Sequence, residues 1–104
     1  MNKREATRNV YAELGFKDAG TMLLKAKLVV KIAEILRERK WTQQEAAAVL
    51  GMTQPKLSKM LRGQFRGISE AKMLDCLVRL GREVKIVVGP ERKRGAGRLE
   101  VVAA

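Results

Sequence analysis

The side chains best suited to specific recognition lie between residues 53 and 62. Short hydroxyl and amide side chains alternate there with long cationic ones: Thr53, Gln54, Lys56, Lys59 and Arg62. Hydroxyls and amides hydrogen-bond the edges of bases, whereas lysine and arginine reach phosphate oxygens. The apolar residues Leu57, Met60 and Leu61 fall on the opposite side if the stretch is helical. Such a helix would present one polar, cationic face to a double-stranded nucleic acid.

The composition favours an acidic partner and argues against catalysis. Lysine and arginine number 22 and aspartate and glutamate 11, so the net charge is +11 at pH 7, which attracts polyanions. The chain has no histidine, the usual general base and the commonest metal ligand. Its carboxylates are scattered singly along the chain. We therefore expect no enzymatic activity, no metal, no cofactor and no small-molecule ligand.

The few aromatic residues favour a duplex over a single strand. One Tyr, one Trp and two Phe are too few to build a platform on which bases stack. An RNA-binding module therefore remains the more distant alternative to a DNA-binding one.

The single cysteine and the apolar runs indicate the compartment. Cys76 cannot form an internal disulfide, and its apolar neighbours predict a small buried residue rather than a reactive thiol. No apolar run has the form of a signal peptide or approaches the ~18 residues of a membrane span. We expect a cytoplasmic protein with no membrane partner.

Two helices are predicted before the recognition stretch. The first, at about 19–40, has apolar residues at spacings of three and four, with Asp18 as its N-cap. Its solvated side carries the charged residues Lys25, Lys27, Lys31, Glu34 and Arg37. A capping box from Thr42 to Glu45 begins the second helix, which ends at Gly51.

Two more helices follow the glycine. Thr53 can cap the third helix, and Pro55 is tolerated in its first turn. Gly63 ends it. Ser69 and Glu70 begin a fourth helix, whose apolar stripe runs as far as residue 80.

The C-terminal part changes from helical to β-type periodicity. Residues 82–88 predict a strand, with Val84, Ile86 and Val88 on one face. A lone strand must find a partner for its backbone, so these three residues are expected to form a dimer interface. The other possible partner is a second short strand at 98–102 of the same chain. Between them, residues 91–97 form a basic segment that is either a solvated loop or a DNA-binding arm.

The spacing of small residues in the middle of the chain is typical of a helix-turn-helix. Ala47 is small where two helices cross closely, Gly51 allows a positive φ in the turn, and Leu57 follows six residues later. A helical hairpin with no ligand would explain these residues equally well. The polar face of residues 53–62 favours DNA binding over that alternative.

The stretch T-Q-x-E-A-A-x-x-L-G-M-T-Q-P-K-L-S, with Gly63 after it, resembles the XRE or phage-repressor family over about 22–81. The resemblance implies that Gln43 meets a phosphate and that Gln54 and Lys59 reach base edges or adjacent phosphates. Thr53 and Lys56 would lie at the floor or wall of the major groove. It further implies backbone clamps at three positions: Arg62, Gln64 and Arg66.

A narrower resemblance includes the flanks NVYAELGF and LGREVKIVV and covers about 9–88; it is to the HigA-like antitoxin branch of the XRE family. It implies a homodimer, paired through the strand at 82–88, that represses its own operon and neutralises a RelE-like ribonuclease toxin. Because such toxins are basic, the contact with this cationic chain would need a local surface. The candidates are Tyr11, Glu13, Leu14 and Phe16, with Asp18 beside them, although a short helix folded back on the core is the alternative. A free-standing repressor without a toxin is the other functional alternative.

The expected fold is therefore mainly α: an XRE-like helix-turn-helix bundle with a short C-terminal strand or hairpin. We expect an N-terminal arm with a short helix at 1–17, a helix-turn-helix DNA-binding domain at 18–81, and a dimerisation region at 82–104. The last region includes the strands and the basic loop.

Overall fold

The computed structural model describes residues 16–102 of the chain. Four α-helices occur in this described part: α1 (Phe16–Arg39), α2 (Gln43–Leu50), α3 (Gln54–Leu61) and α4 (Glu70–Arg79). The mainly helical fold predicted from the sequence is confirmed. The expected toxin contacts Tyr11, Glu13 and Leu14 lie outside the described residues, and Phe16 is the first residue of α1.

The first helix differs from its prediction at the N-terminal end. Asp18 lies within the first turn of α1 and not in the flanking position, so it is not the N-cap. At the other end, Arg37 and Arg39 occupy the last turn, where positive charge stabilises the negative end of the helix dipole. Lys40 then adopts a left-handed conformation, with φ of 56°, and the helix stops.

The three other helices begin at the caps that the sequence predicts. Each cap is a hydroxyl that accepts a hydrogen bond from the backbone N–H three residues later, at 3.1 Å for Thr42, 3.3 Å for Thr53 and 3.0 Å for Ser69. These bonds satisfy N–H groups that have no partner within the helix.

A single hydrophobic core joins all four helices. Helix α4 packs along α1, while α2 contacts both α3 and α4. The most completely buried side chains come from every helix and from residue 80: Ile32, Leu50, Leu57, Met60, Met73, Cys76 and Leu80. Cys76 is a buried residue, as predicted, and burial raises the pKa of its thiol.

A polar contact ties the end of α1 to the end of α4. The Arg39 guanidinium donates a hydrogen bond of 2.6 Å to the Leu80 carbonyl and lies over the Trp41 ring, 5.0 Å from its centroid. The contact brings together residues 41 positions apart.

The C-terminal strands are not formed in the described part of the chain. Neither 82–88 nor 98–102 has regular secondary structure, so the hairpin predicted as one alternative is absent. A strand needs a hydrogen-bonded partner whatever its side-chain preference. Here Val84 and Val101 each pack against the helical core instead. Residues 82–87 and 99–102 border a groove of about 520 Å³ whose helical wall includes Leu24, Leu28, Leu74 and Leu77.

Candidate nucleic-acid interface

The turn between α2 and α3 has the geometry that the sequence pattern predicts. Gly51 adopts a left-handed conformation, with φ of 65° and ψ of 40°. The Met52 N–H donates to the Ala47 carbonyl at 3.1 Å, which closes the end of α2. Ala47 and Leu57 are both buried where the two helices meet. The spacing of these residues therefore produces a tight helix-turn-helix.

A polar cluster on α4 donates hydrogen bonds to the backbone just before this turn. The Lys72 ammonium donates to the Leu50 carbonyl at 2.7 Å and lies 3.3 Å from an Asp75 carboxylate oxygen. The Arg79 guanidinium donates to the same oxygen at 2.8 Å and to the Val49 carbonyl at 3.4 Å. These cations thus lie where the carbonyls at the C-terminal end of α2 need donors.

The carboxylate of this cluster keeps its two cations in place. The hydrogen bond from Arg79, and then that from Lys72, lowers the pKa of Asp75 below its ordinary value of 3.8. We did not predict this cluster from the sequence. The spacing of Lys72, Asp75 and Arg79 places them on one side of a helix, but nothing local indicates that they reach α2.

The predicted recognition residues form one exposed surface on α3. Gln54, Lys56 and Lys59 are exposed, while Leu57 and Met60 on the opposite side are fully buried. Thr53 is exposed too, and its hydroxyl oxygen already accepts the capping hydrogen bond from the Lys56 N–H. That hydroxyl can still donate its own proton to an outside acceptor.

Two further groups of predicted contacts flank α3. Gln43 is the exposed first residue of α2, a position where backbone N–H groups favour an anion. After α3, the side chains of Arg62, Gln64 and Arg66 are all exposed. The structure therefore places the predicted contacts on α3, at the start of α2 and in the loop that follows α3.

The loop after α3 is anchored to the core at several points. Phe65 and Ile68 are buried, and the Gln64 N–H donates to the Lys59 carbonyl at 2.8 Å. Lys25 of α1, only 7% exposed, donates from its ammonium to the Arg66 carbonyl at 2.9 Å. The expectation that Lys25 lies on a solvated helix face is therefore wrong. Its burial is a tertiary effect, because this loop covers it.

The cations of the α3 surface are available to an outside partner. Within the described part of the chain, no ion pair joins Lys56, Lys59 or Arg62 to a carboxylate. A row of unneutralised cations beside an exposed amide is suited to phosphates flanking a base edge.

The residues predicted to form a dimer do not share one environment. Val84 is partly buried against the core, whereas Ile86 and Val88 are 81% and 92% exposed. The apolar face predicted for 84–88 is thus divided between the helical core and solvent.

Comparison with known proteins identifies this arrangement. A family model described as a helix-turn-helix domain matches residues 10–89. A solved structure of a candidate XRE-family transcriptional regulator is 33% identical, with a TM-score of 0.75 over 84% of this chain and 99% of that chain. The chain belongs to the XRE family of helix-turn-helix DNA-binding proteins. No curated protein sequence matches this XRE-family chain, and none of its described helices is long and apolar enough to cross a membrane.

Proposed function

We propose that this XRE-family protein is a transcriptional repressor that binds an operator in double-stranded DNA as a homodimer, without catalysing a reaction. The observation that carries the proposal is the α3 surface. Gln54, Lys56 and Lys59 are exposed together on a helix whose other side, Leu57 and Met60, is fully buried. A helix held in this way can lie in the major groove with only its polar side toward the bases.

The flanking residues support the same docking. Gln43 begins α2, where free N–H groups and the helix dipole favour a phosphate. Arg62, Gln64 and Arg66 would meet the phosphates beside the groove in which α3 lies. In this docking, Gln54 and Lys59 supply sequence specificity and the flanking residues supply general affinity.

The recognition surface is tested with Gln54→Ala and Lys59→Ala, on a duplex selected from a random library by the wild-type protein. Each lost base contact is expected to weaken specific binding by ~1–3 kcal/mol. Unfolding should be nearly unchanged, because both residues are exposed. Lys27→Ala is the matched control, since it removes an exposed lysine from α1. If both α3 variants bind the selected duplex as the wild type does, this docking is wrong.

The phosphate clamps are tested with Arg62→Ala and Arg66→Ala. Both should weaken specific and random duplexes alike, and each lost contact should reduce the slope of log affinity against log salt by about 0.9. An unchanged slope would count against phosphate contacts at these positions.

Dimerisation is proposed to use residues 84–88 of two copies. Ile86 and Val88 are exposed and β-branched, and within the described part of the chain their segment has no ladder partner. A strand pair between copies would satisfy that backbone and would place two α3 helices for a palindromic operator.

Ile86→Pro tests this interface because proline removes a backbone N–H that a strand pair would use. The helical core of the monomer should be undisturbed because the Ile86 side chain is exposed. Sedimentation should show a monomer, and operator affinity should fall far more than affinity for random DNA. A chain truncated after Pro90 is the control. A dimeric Ile86→Pro variant would place the interface elsewhere, and a monomeric truncation would assign dimerisation to the tail.

We further propose that the protein is the antitoxin of a HigBA-like operon, because the flanks of its helix-turn-helix resemble that branch. Tyr11, Glu13, Leu14 and Phe16 are the candidate contacts to a RelE-like toxin. We expect a RelE-like reading frame beside this gene. Expression of its product should arrest growth, and co-expression of this chain should relieve that arrest. Absence of such a frame, or failure of the chain to bind its product, would favour a free-standing repressor.

A further inference from the structure

We propose that the basic loop, residues 91–98, is a second DNA-binding element that contacts the operator outside the reach of α3. The inference rests on the proposed function, since it requires that α3 binds duplex DNA. The basic loop carries Arg92, Lys93, Arg94 and Arg98 against one carboxylate, Glu91, so its net charge is +3. It lies beyond the region matched by the helix-turn-helix family model, which ends at residue 89.

The cations of the basic loop have no acidic partner in the part of the chain that is described. Ion pairs there occupy carboxylates on α1, on α4 and at Glu83, and none involves a residue of the basic loop. All four cationic side chains are exposed. Placing them so close together costs electrostatic energy, which a polyanion would remove.

The loop is shaped as a turn with its cations outward. Gly95 adopts a left-handed conformation, with φ of 70°, and the Arg92 guanidinium donates to the Ala96 carbonyl at 3.3 Å. Because residues 95–97 are Gly-Ala-Gly, the backbone there has almost no side-chain bulk. A narrow basic segment of this kind fits the minor groove, which is about 6 Å wide, or lies along its phosphates.

The basic loop is also attached to the fold at both ends. Val84 on one side and Val101 on the other pack against the helical core. From Val101, the seven residues back to Arg94 span at most roughly 25 Å when extended. That length limits how far the tip can move from its attachment at Val101. Attachment makes the second contact intramolecular, which raises its effective concentration.

Solvation alone and a protein partner are the competing explanations. The methyl group of Ala96 is the only apolar side chain in residues 91–98. The loop therefore has little to bury against an apolar protein surface. Duplex DNA is favoured over RNA because the same chain carries a helix-turn-helix and few aromatic residues.

The test compares two full-length variants with the same charge change. Lys93→Gln with Arg94→Gln neutralises the tip of the basic loop and leaves the Arg92 turn contact in place. Lys27→Gln with Arg37→Gln is the control, since both cations are exposed and lie on α1, away from the proposed DNA contacts and the proposed dimer interface. Affinity for the selected operator, for a random duplex and for a structured RNA is measured from about 0.05 to 0.3 M salt, over which phosphate contacts dominate the salt dependence.

For each bound subunit, the loop variant is expected to lose about 1.8 from the salt slope and roughly ten- to a hundredfold in affinity near 0.1 M salt. The control should change the slope little. Hydroxyl-radical footprinting should show that protection outside the α3 contacts disappears in the loop variant and persists in the control.

Three results would overturn the proposal. One is a loop variant with the wild-type slope and footprint. Another is an equal loss in the control, which would indicate bulk charge. The third is a loss of affinity only for structured RNA. The proposed function fails separately, if the wild type selects no duplex or if Gln54→Ala and Lys59→Ala both bind the selected duplex normally.

Discussion

Replacing Gly51 by alanine and by asparagine separates two reasons for a glycine at the helix-turn-helix turn. The backbone there is left-handed, with φ of 65°, and a Cβ atom would lie 2.9 Å from the Arg79 Nη1 atom. Alanine meets both difficulties. Asparagine carries the same Cβ but tolerates the left-handed conformation better than other side chains.

The two costs differ in size. The left-handed conformation costs a non-glycine residue about 1–2 kcal/mol. The Arg79 guanidinium is the far end of a flexible side chain that is 47% exposed, and its bond to the Val49 carbonyl is already long, at 3.4 Å. Displacing it costs at most about 0.5 kcal/mol, the low end for a hydrogen bond. Backbone strain should therefore dominate, and Gly51→Asn should recover about 1 kcal/mol relative to Gly51→Ala.

The assays are urea unfolding and thermal unfolding, each followed by helical circular dichroism and by the fluorescence of Trp41, which is the only tryptophan. Gly51→Ala should lower the melting temperature by about 4–8 °C for each kcal/mol lost. The same substitution in an Arg79→Ala background should cost nearly as much. The reasoning is refuted if asparagine destabilises the protein as much as alanine does, or if Arg79→Ala removes most of the cost of Gly51→Ala.

Three further outcomes are expected. Leu57→Ala should lower the free energy of unfolding, measured by urea titration, by about 2–5 kcal/mol because Leu57 is fully buried. Val78→Ala, at an exposed site, should change the same free energy by less than about 0.5 kcal/mol. Lys25→Met removes the ammonium that holds the Arg66 carbonyl, so it should reduce the salt slope of duplex binding as Arg66→Ala does; an unchanged slope would show that the loop keeps its position without Lys25. The pKa of Asp75 is lowered in the folded state, so its ionised form adds stability that is fully present above pH 3.8 and is lost as the pH falls through the folded pKa. The unfolding free energies of the wild type and Asp75→Asn should therefore converge in acid. A constant difference between them down to pH 2 would contradict this role of Asp75.

Local interactions explain why much of the site is predictable from the sequence. Thr42, Thr53 and Ser69 each bond to an N–H three residues away, a contact that depends on the cap and its first turn alone. Gly51 takes the left-handed conformation that the end of α2 requires. The separation of Lys59 from buried Met60 likewise follows from helical periodicity. Together they predict the helix-turn-helix and its exposed polar side before any packing is known.

Contacts between distant residues depend on packing that no local pattern contains. Lys25 and Arg66 are 41 residues apart, and Lys72 and Leu50 are 22 apart, so these bonds exist only once α1, α2 and α4 are assembled. In the C-terminal segments, tertiary packing overrides a local preference. Their β-branched residues favour a strand, but a strand is completed by a partner's backbone. Within the described part of the chain, Val84 and Val101 pack on the helices instead. The sequence by itself therefore determined the four helices, the caps of the last three and the recognition side of α3. The tertiary structure alone decided which lysine is buried, what holds the turn, and whether the C-terminal segments pair. Each of these depends on surfaces that only folding brings together.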